Sequence, residues 1–256
     1  MTESKQAHWL SWPNIKQNVH DIFTWQYYRE GFSGWSKKSY IWLLIGLSVI
    51  IGTGFMHGFS TMTLISVLGG AIGFTCTLAI TNNKRLNGVL GFVSAILISY
   101  VAWHAHNNAD IFMQVGYVLA LDIPVILFGS AWNARKIRKM DRTGWLILFG
   151  TFIVMYAFLF WIDTQVFISP RPFIDAFSAA IGFTGAALML GKYSSQYVMW
   201  SIQGITSVLL WFITAQQGDA NWVLFATYLL YLGNDVLGLF FSPWRMFNKS
   251  KDTQQN

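Results

Sequence analysis

The sequence predicts an all-α integral membrane protein with eight transmembrane helices, and three observations carry that expectation. Of 256 residues, 54% are hydrophobic and only 11% are charged, against roughly 25% charged in a soluble domain. Eight mostly apolar runs each approach the ~20 residues that a helix needs to cross the hydrocarbon. Sixteen of the 17 Lys and Arg fall in alternate connections and in the two tails.

The runs lie at about 40–56, 61–80, 86–104, 110–132, 144–162, 171–190, 196–215 and 219–241. Lipid offers no partner for open backbone groups, so each run reads as a helix, and none alternates as a barrel strand does. Ahead of them, residues 1–39 place Trp9, Trp12, Ile15, Val19 and Ile22 at helical spacing among polar residues, with Pro13 suited to an early helical turn. This tail reads as an amphipathic segment lying on the membrane surface. Run 40–56 is an added helix, 61–132 a first three-helix repeat, 144–162 a linker helix, 171–241 a second repeat and 242–256 a tail.

Lys84, Arg85, Arg135 to Arg142, Lys192 and the basic residues of both tails share one side, and only Arg171 falls opposite. An excess of Lys and Arg marks cytoplasmic loops, so both termini are placed in the cytoplasm. The net charge of +6 is thereby a topology signal, and no nucleic-acid partner is expected. Cys76 is the single cysteine, so no intrachain disulfide forms. No cleavable secretory signal is expected at the N-terminus.

The pentapeptide AIGFT occurs at Ala71 and again at Ala180, 109 positions later. The copies lie in the second and sixth runs, an even number of crossings apart, so both point the same way. The same offset sets Asp110, opening the fourth run, against Asp219, opening the eighth. The pattern predicts two parallel three-helix bundles joined by a linker helix. Gly73 and Gly182 within the copies read as points of close helix contact. Transporters built on such repeats hold their substrate near the bilayer midplane, between the halves.

A charged side chain at mid-bilayer costs roughly 2.5–3.5 kcal/mol, so such residues face the bundle interior or a cavity. Asp122 is the clearest case, two residues before Pro124, which removes a backbone donor. Gln114 and Tyr117 lie on the same helix. Tyr197, Trp200, Gln203, Ser207 and Trp211 fall on one face of the seventh. Tyr228, Tyr231 and Asn234 in the eighth run, and Asn87 opening the third, complete the candidate substrate-binding set. Structural readings stand beside the functional ones. Gln203 reads equally as an interhelical hydrogen bond, and Asp122 as a partner of a buried hydroxyl. Asp110 and Asp219 read as helix caps, Trp103 and Trp222 as interfacial belt residues, and His104 and His106 as interfacial rather than metal-binding.

Aromatic faces with Gln, Asn and Tyr suit a planar heterocycle carrying a polar sugar. No Arg or Lys cluster within the runs answers a phosphate, so a nucleoside fits better than a nucleotide. No cofactor or metal is expected, no P-loop is present, and no reactive constellation points to an enzyme. A ligand-sensing membrane protein is the non-transporting alternative.

Asp110-x-x-x-Gln114, Tyr197-Val-Met-Trp200 and the final stretch ATYLLYLGNDVLGLFFSPW, with the three-plus-one-plus-three plan, resemble the PnuC family of vitamin transporters over roughly residues 60–245. The resemblance implies a SWEET-like fold, a homotrimer and a multi-pass place in the plasma membrane. It implies facilitated diffusion of a substrate such as nicotinamide riboside, trapped by a cytoplasmic kinase. It places a stacking pair on Tyr197 and Trp200 and a polar contact on Gln114. The chain departs from the riboside pattern at Tyr197, where the family shows Trp, and at Gly204, where it shows Asn or Asp. Deoxynucleosides, then thiamine or riboflavin, therefore stand as alternative substrates, and Asp122 leaves ion coupling open.

Overall fold

The helices begin close to where the apolar runs begin, and the first departure is in the tail. The computed structural model describes residues 12–56, 60–105, 108–166, 172–216 and 222–245. Among the described residues the tail forms two short helices rather than one, α1 (Trp12–Asp21) and α2 (Trp25–Phe32). Thr24 breaks them apart as the N-cap of α2, its Oγ1 accepting from Tyr27 N–H. Asn18 pins α1 to the bundle: Nδ2 donates to Leu127 O at 3.0 Å and Oδ1 accepts from Ser130 N–H at 3.3 Å. Trp12, Phe23 and Trp25 are left exposed. Trp9 lies outside the described residues.

The bundle follows as α3 (Lys37–Met56), α4 (Thr61–Thr81), α5 (Leu86–His104), α6 (Asn108–Tyr117), a π-helical turn (Val118–Asp122), α7 (Ile123–Ala134), α8 (Arg142–Gln165), α9 (Pro172–Leu190), α10 (Gln196–Gln216) and α11 (Trp222–Phe241). With α6, the π turn and α7 taken as one from Asp110 to Ala134, seven of these are long and apolar enough to cross a membrane. The protein is an all-α, multi-pass membrane protein, and no strand occurs among the described residues beyond the single bridge of Arg138 with Tyr193. α10 matches the others in length and is less apolar, because Gln196, Ser201, Gln203, Thr206 and Ser207 interrupt it. The π turn sits just before Pro124. Ile123 N–H reaches back five residues to Val118 O, which widens the helix where the proline withholds a donor.

α4 packs on α5, and α5 on α6; α9 packs on α10, and α10 on α11. Between these two sets, α11 lies against α4 and α6 against α9. α3 covers α4 and α11, and α8 leans on α9. The outward faces of α3 and α8 stay apolar and exposed, as lipid-facing surfaces do, with Leu44, Leu146 and Val154 among them.

Two turns at the basic end of the bundle match bond for bond at the 109-residue offset. After α4, Asn82 N–H donates to Leu78 O (3.0 Å), Asn83 to Ile80 O (2.8 Å) and Lys84 to Ala79 O (2.8 Å). After α9, Gly191 N–H donates to Ala187 O (3.0 Å), Lys192 to Met189 O (2.9 Å) and Tyr193 to Leu188 O (2.8 Å). Both turns end their helix with a left-handed residue, Asn83 at φ 56° and Lys192 at φ 62°. These two residues touch: Lys192 Nζ donates to Asn83 Oδ1. The indoles cross over in the same way. Trp132, ending α7, donates to Met189 O at 3.3 Å, and Trp244, after α11, donates to Ile80 O at 2.8 Å. Their rings lie 6.2 Å apart, with Lys192 Nζ 3.4 Å from the Trp132 centroid. Asp219, Arg171 and His106 lie outside the described residues.

Burial, reinforced by Arg135, lowers the Lys192 ammonium from its ordinary value to about 7. Unfolded, the same side chain keeps its proton to roughly 10.4. Between those values the unfolded chain binds more protons, so stability rises as pH rises through that window. Thermal unfolding of the purified protein is expected to shift upward from pH 7 to pH 9, and Lys192→Met to flatten that rise. An unchanged slope in the variant would remove Lys192 as its source.

Candidate functional site

A cavity of about 130 Å³ opens where α4, α5, the α6–π segment, α10 and α11 converge. Small residues make the room. A methyl added at Gly73 would overlap the Tyr231 hydroxyl and Ser94 Oγ, and one at Gly91 would overlap the Asp122 carboxylate. A methyl at Gly182 would overlap the Tyr117 hydroxyl. The glycine of each AIGFT copy thus admits a tyrosine hydroxyl from the far helix of the opposite set. Gly73 also lines the cavity, beyond the packing role expected of it.

Seven of the ten residues expected at the site line this cavity: Gln114, Tyr117, Asp122, Trp200, Gln203, Tyr228 and Tyr231. They come from three segments far apart in sequence. Tyr117 Oη donates to Gln203 Oε1 at 3.3 Å, tying α6 to α10. Gln203 Nε2 faces Met113 Sδ at 2.9 Å and Ser207 Oγ at 3.4 Å. Tyr228 Oη donates to Asp110 Oδ1 at 2.9 Å, and Gln114 Nε2 reaches both at 3.4 Å. Tyr228 in turn stacks on the buried Trp211 with centroids 5.9 Å apart. Asp110, read from sequence as a cap, spends one carboxylate oxygen on these side chains and joins α6 to α11.

The other three expected residues stand outside the cavity. Tyr197 is fully buried, its hydroxyl 3.0 Å from Thr81 Oγ1 and its ring packed on Gly238. It meets Trp200 edge to face, with centroids 5.7 Å apart and planes at 87°. The two are therefore not parallel plates: Tyr197 braces Trp200 from behind. Asn234 donates to Thr81 Oγ1 at 2.9 Å. Asn87 is buried at the start of α5, where Nδ2 closes the preceding turn on Lys84 O at 2.5 Å. Trp200 is held from its other side by Gly185, where any side chain would overlap the indole.

The expected set left out Asp235, one of the polar residues of the eighth run, and Ser94, both in the lining. Asp235 is a second acid in an apolar run, the same signal that picked out Asp122. A Cβ built at Gly204 would lie 3.6 Å from Asp235 Oδ2, so this carboxylate stands before the vacant position on α10. Among the described residues no Lys, Arg or His lines the cavity. Among the described residues no cluster of three His, Cys, Asp or Glu is placed to hold a metal. Chemically the site offers aromatic walls, amide and hydroxyl hydrogen bonds, and carboxylates, with no cation to hold a phosphate.

A smaller cavity of about 20 Å³ shares Met113 with the first, is lined by Asp110 and extends toward Asp175, Ser178 and Trp211. It adds polar surface along α9 and α10 on the far side of the Asp110–Tyr228 bond.

A family model described as Nicotinamide mononucleotide transporter matches residues 63–246. A protein of Neisseria mucosa named Nicotinamide riboside transporter PnuC is 22% identical over 225 residues, covering 82% of each chain. A protein of Haemophilus influenzae with the same name is 22% identical over 218 residues, covering 79% of this chain and 89% of its own. The solved structure described as the Vitamin B3 transporter PnuC superposes with a TM-score of 0.73 at 18% identity, covering 86% of this chain and 96% of that one.

Proposed function

This chain belongs to the nicotinamide mononucleotide transporter family, and we propose that it carries nicotinamide riboside, rather than the mononucleotide, across the plasma membrane. The observation that carries the choice is the lining of the main cavity, which holds aromatic, amide and acidic side chains and, among the described residues, no Lys, Arg or His. A phosphate ester entering it would meet carboxylates and no counter-charge. Trp200 stacks on the pyridine ring, and Gln114, Tyr117, Gln203, Tyr228 and Tyr231 bond the ribose and the amide. Tyr197 acts through Trp200. The names of the relatives point the same way.

The transport cycle we envisage uses two parallel three-helix bundles, α4 to α7 and α9 to α11, with α8 as linker and α3 as an added eighth span, rocking about the cavity. The matched turns after α4 and α9 and the crossed indole bonds support that plan. Both termini lie in the cytoplasm, as the basic end of the bundle suggests. The functional unit is a homotrimer. Movement is by facilitated diffusion, and a cytoplasmic kinase retains the product, since a phosphorylated riboside cannot re-enter an uncharged or acidic site.

Uptake of labelled nicotinamide riboside into proteoliposomes tests the reading. We expect saturable entry, counterflow by unlabelled riboside, no competition by the mononucleotide, and persistence when proton and sodium gradients are collapsed. Entrapped kinase and ATP should convert equilibration into accumulation. Competition by the mononucleotide at equal potency would overturn the choice of substrate, and loss of uptake with the gradients would replace diffusion by ion coupling.

A further inference from the structure

Two carboxylates line the main cavity without a hydrogen-bond partner among the described residues. Asp122 is 2% exposed and Asp235 7% exposed. They come from opposite helix sets, Asp122 from the π turn after α6 and Asp235 from α11. The third acid nearby, Asp110, differs from them in accepting bonds from Tyr228 and Gln114. A buried carboxylate without a counter-charge is strongly unfavourable, and the ordinary remedy is an Arg, Lys or His alongside. None among the described residues lines this cavity. The aromatic faces of Trp200, Tyr228 and Tyr231 around it attract cations as well as stack on flat rings.

We propose that Asp122 and Asp235 form a paired acidic cradle that selects a ring bearing a fixed positive charge over a neutral ring of the same shape. The missing counter-ion is the substrate itself. This proposal rests on the riboside reading, since the pyridinium of nicotinamide riboside carries such a charge, and it names the residues and the property by which that ring is told apart from an ordinary nucleoside base. Gln203 does not make that distinction, because an amide hydrogen bond serves a neutral ring equally well, and the aromatic faces add attraction for a cation without balancing its full charge. Asp235 Oδ2 lies 3.6 Å from the Cβ position that Gly204 leaves empty, while Asp122 sits against Gly91.

Calorimetric titration of the full chain in detergent tests it with two ligands matched in shape: nicotinamide riboside and benzamide riboside, its uncharged carbon-linked isostere. The wild type should prefer the cation by at least about tenfold. Asp122→Asn and Asp235→Asn should each reduce that preference, and the double variant should bring it to within about threefold of unity, with affinity for the isostere within about threefold of wild type. Equal binding of both ligands by the wild type overturns the proposal without recourse to any variant. So does an equal loss of both ligands in the Asn variants, which would assign the carboxylates to the sugar hydroxyls. If the wild type binds neither riboside, the riboside reading fails. The cradle is then decided by 1-methylnicotinamide and thiamine against benzamide and thymidine. Cation binding lost on Asp→Asn keeps the cradle, whereas neutral-only binding, or none, overturns it as well.

Discussion

Trp200→Ala is expected to weaken nicotinamide riboside binding by about fivefold to a hundred-and-fiftyfold, the equivalent of the roughly 1–3 kcal/mol that one aromatic–base stack contributes. The indole is partly exposed to the cavity, and its ring N–H has no acceptor among the described residues. Two contacts fix its orientation. Tyr197 presses edge-on at 5.7 Å, and Gly185 leaves no room for a side chain behind the pyrrole edge. Little of the ordering cost is therefore incurred on binding. Tyr197→Phe keeps the brace and loses only the Thr81 contact, so it should change affinity by less than about threefold. Calorimetry on the three proteins decides the matter. Undiminished binding by Trp200→Ala would move the ring-binding surface elsewhere, with Tyr228 and Tyr231 the next candidates.

Gly73→Val and Gly182→Val should abolish transport, to below about a hundredth of wild-type uptake, for a reason of space alone. Each would drive a side chain into a tyrosine hydroxyl that bridges the two helix sets: Tyr231 against Gly73, and Tyr117 against Gly182. The second also dislodges the Tyr117–Gln203 bond. Overpacking of this kind commonly costs 1–3 kcal/mol of stability, so the measurement needs a control for folding. Gly52 and Gly150 provide it, since nothing stands within 4 Å of a Cβ built at either. Gly52→Val and Gly150→Val should transport normally. Uptake by Gly73→Val at the level of these controls would show that the close approach is dispensable.

The helices were largely legible in the sequence because lipid removes choices. A run of about twenty apolar residues has one backbone solution, and the boundaries follow from where polar residues gather. The tail was less legible: Thr24 ends one helix and caps the next, and nothing in the apolar spacing announces that break. Within the cavity, the stripe on α10 placed Trp200, Gln203 and Ser207 on one buried face, as helical spacing requires. The same stripe carried Tyr197 along with them. It lies one turn nearer the end of the helix, where Thr81, Gly238 and Trp244 fill the space a ligand would need. Spacing gives the face of a helix and says little of depth. Asp235 and Asn234 show the complementary gap. They are neighbours in sequence and point to different places, Asn234 to Thr81 and Asp235 to the cavity, and only the rotation of α11 against α4 and α10 decides which is which.

The crossed indole bonds have a consequence for how such a chain can be divided. Trp132 closes on the helix that carries Met189, and Trp244 on the helix that carries Ile80. Under the duplicated plan, neither half completes this closure by itself; each lends its terminal tryptophan to the other and receives one in return. A half-length chain made alone would leave an indole and a helix-end carbonyl wanting, and a second copy of that same half, turned to face it, would supply both. The arrangement is that of a handshake: a chain cut between α7 and α9 would have to make both closures between separate pieces.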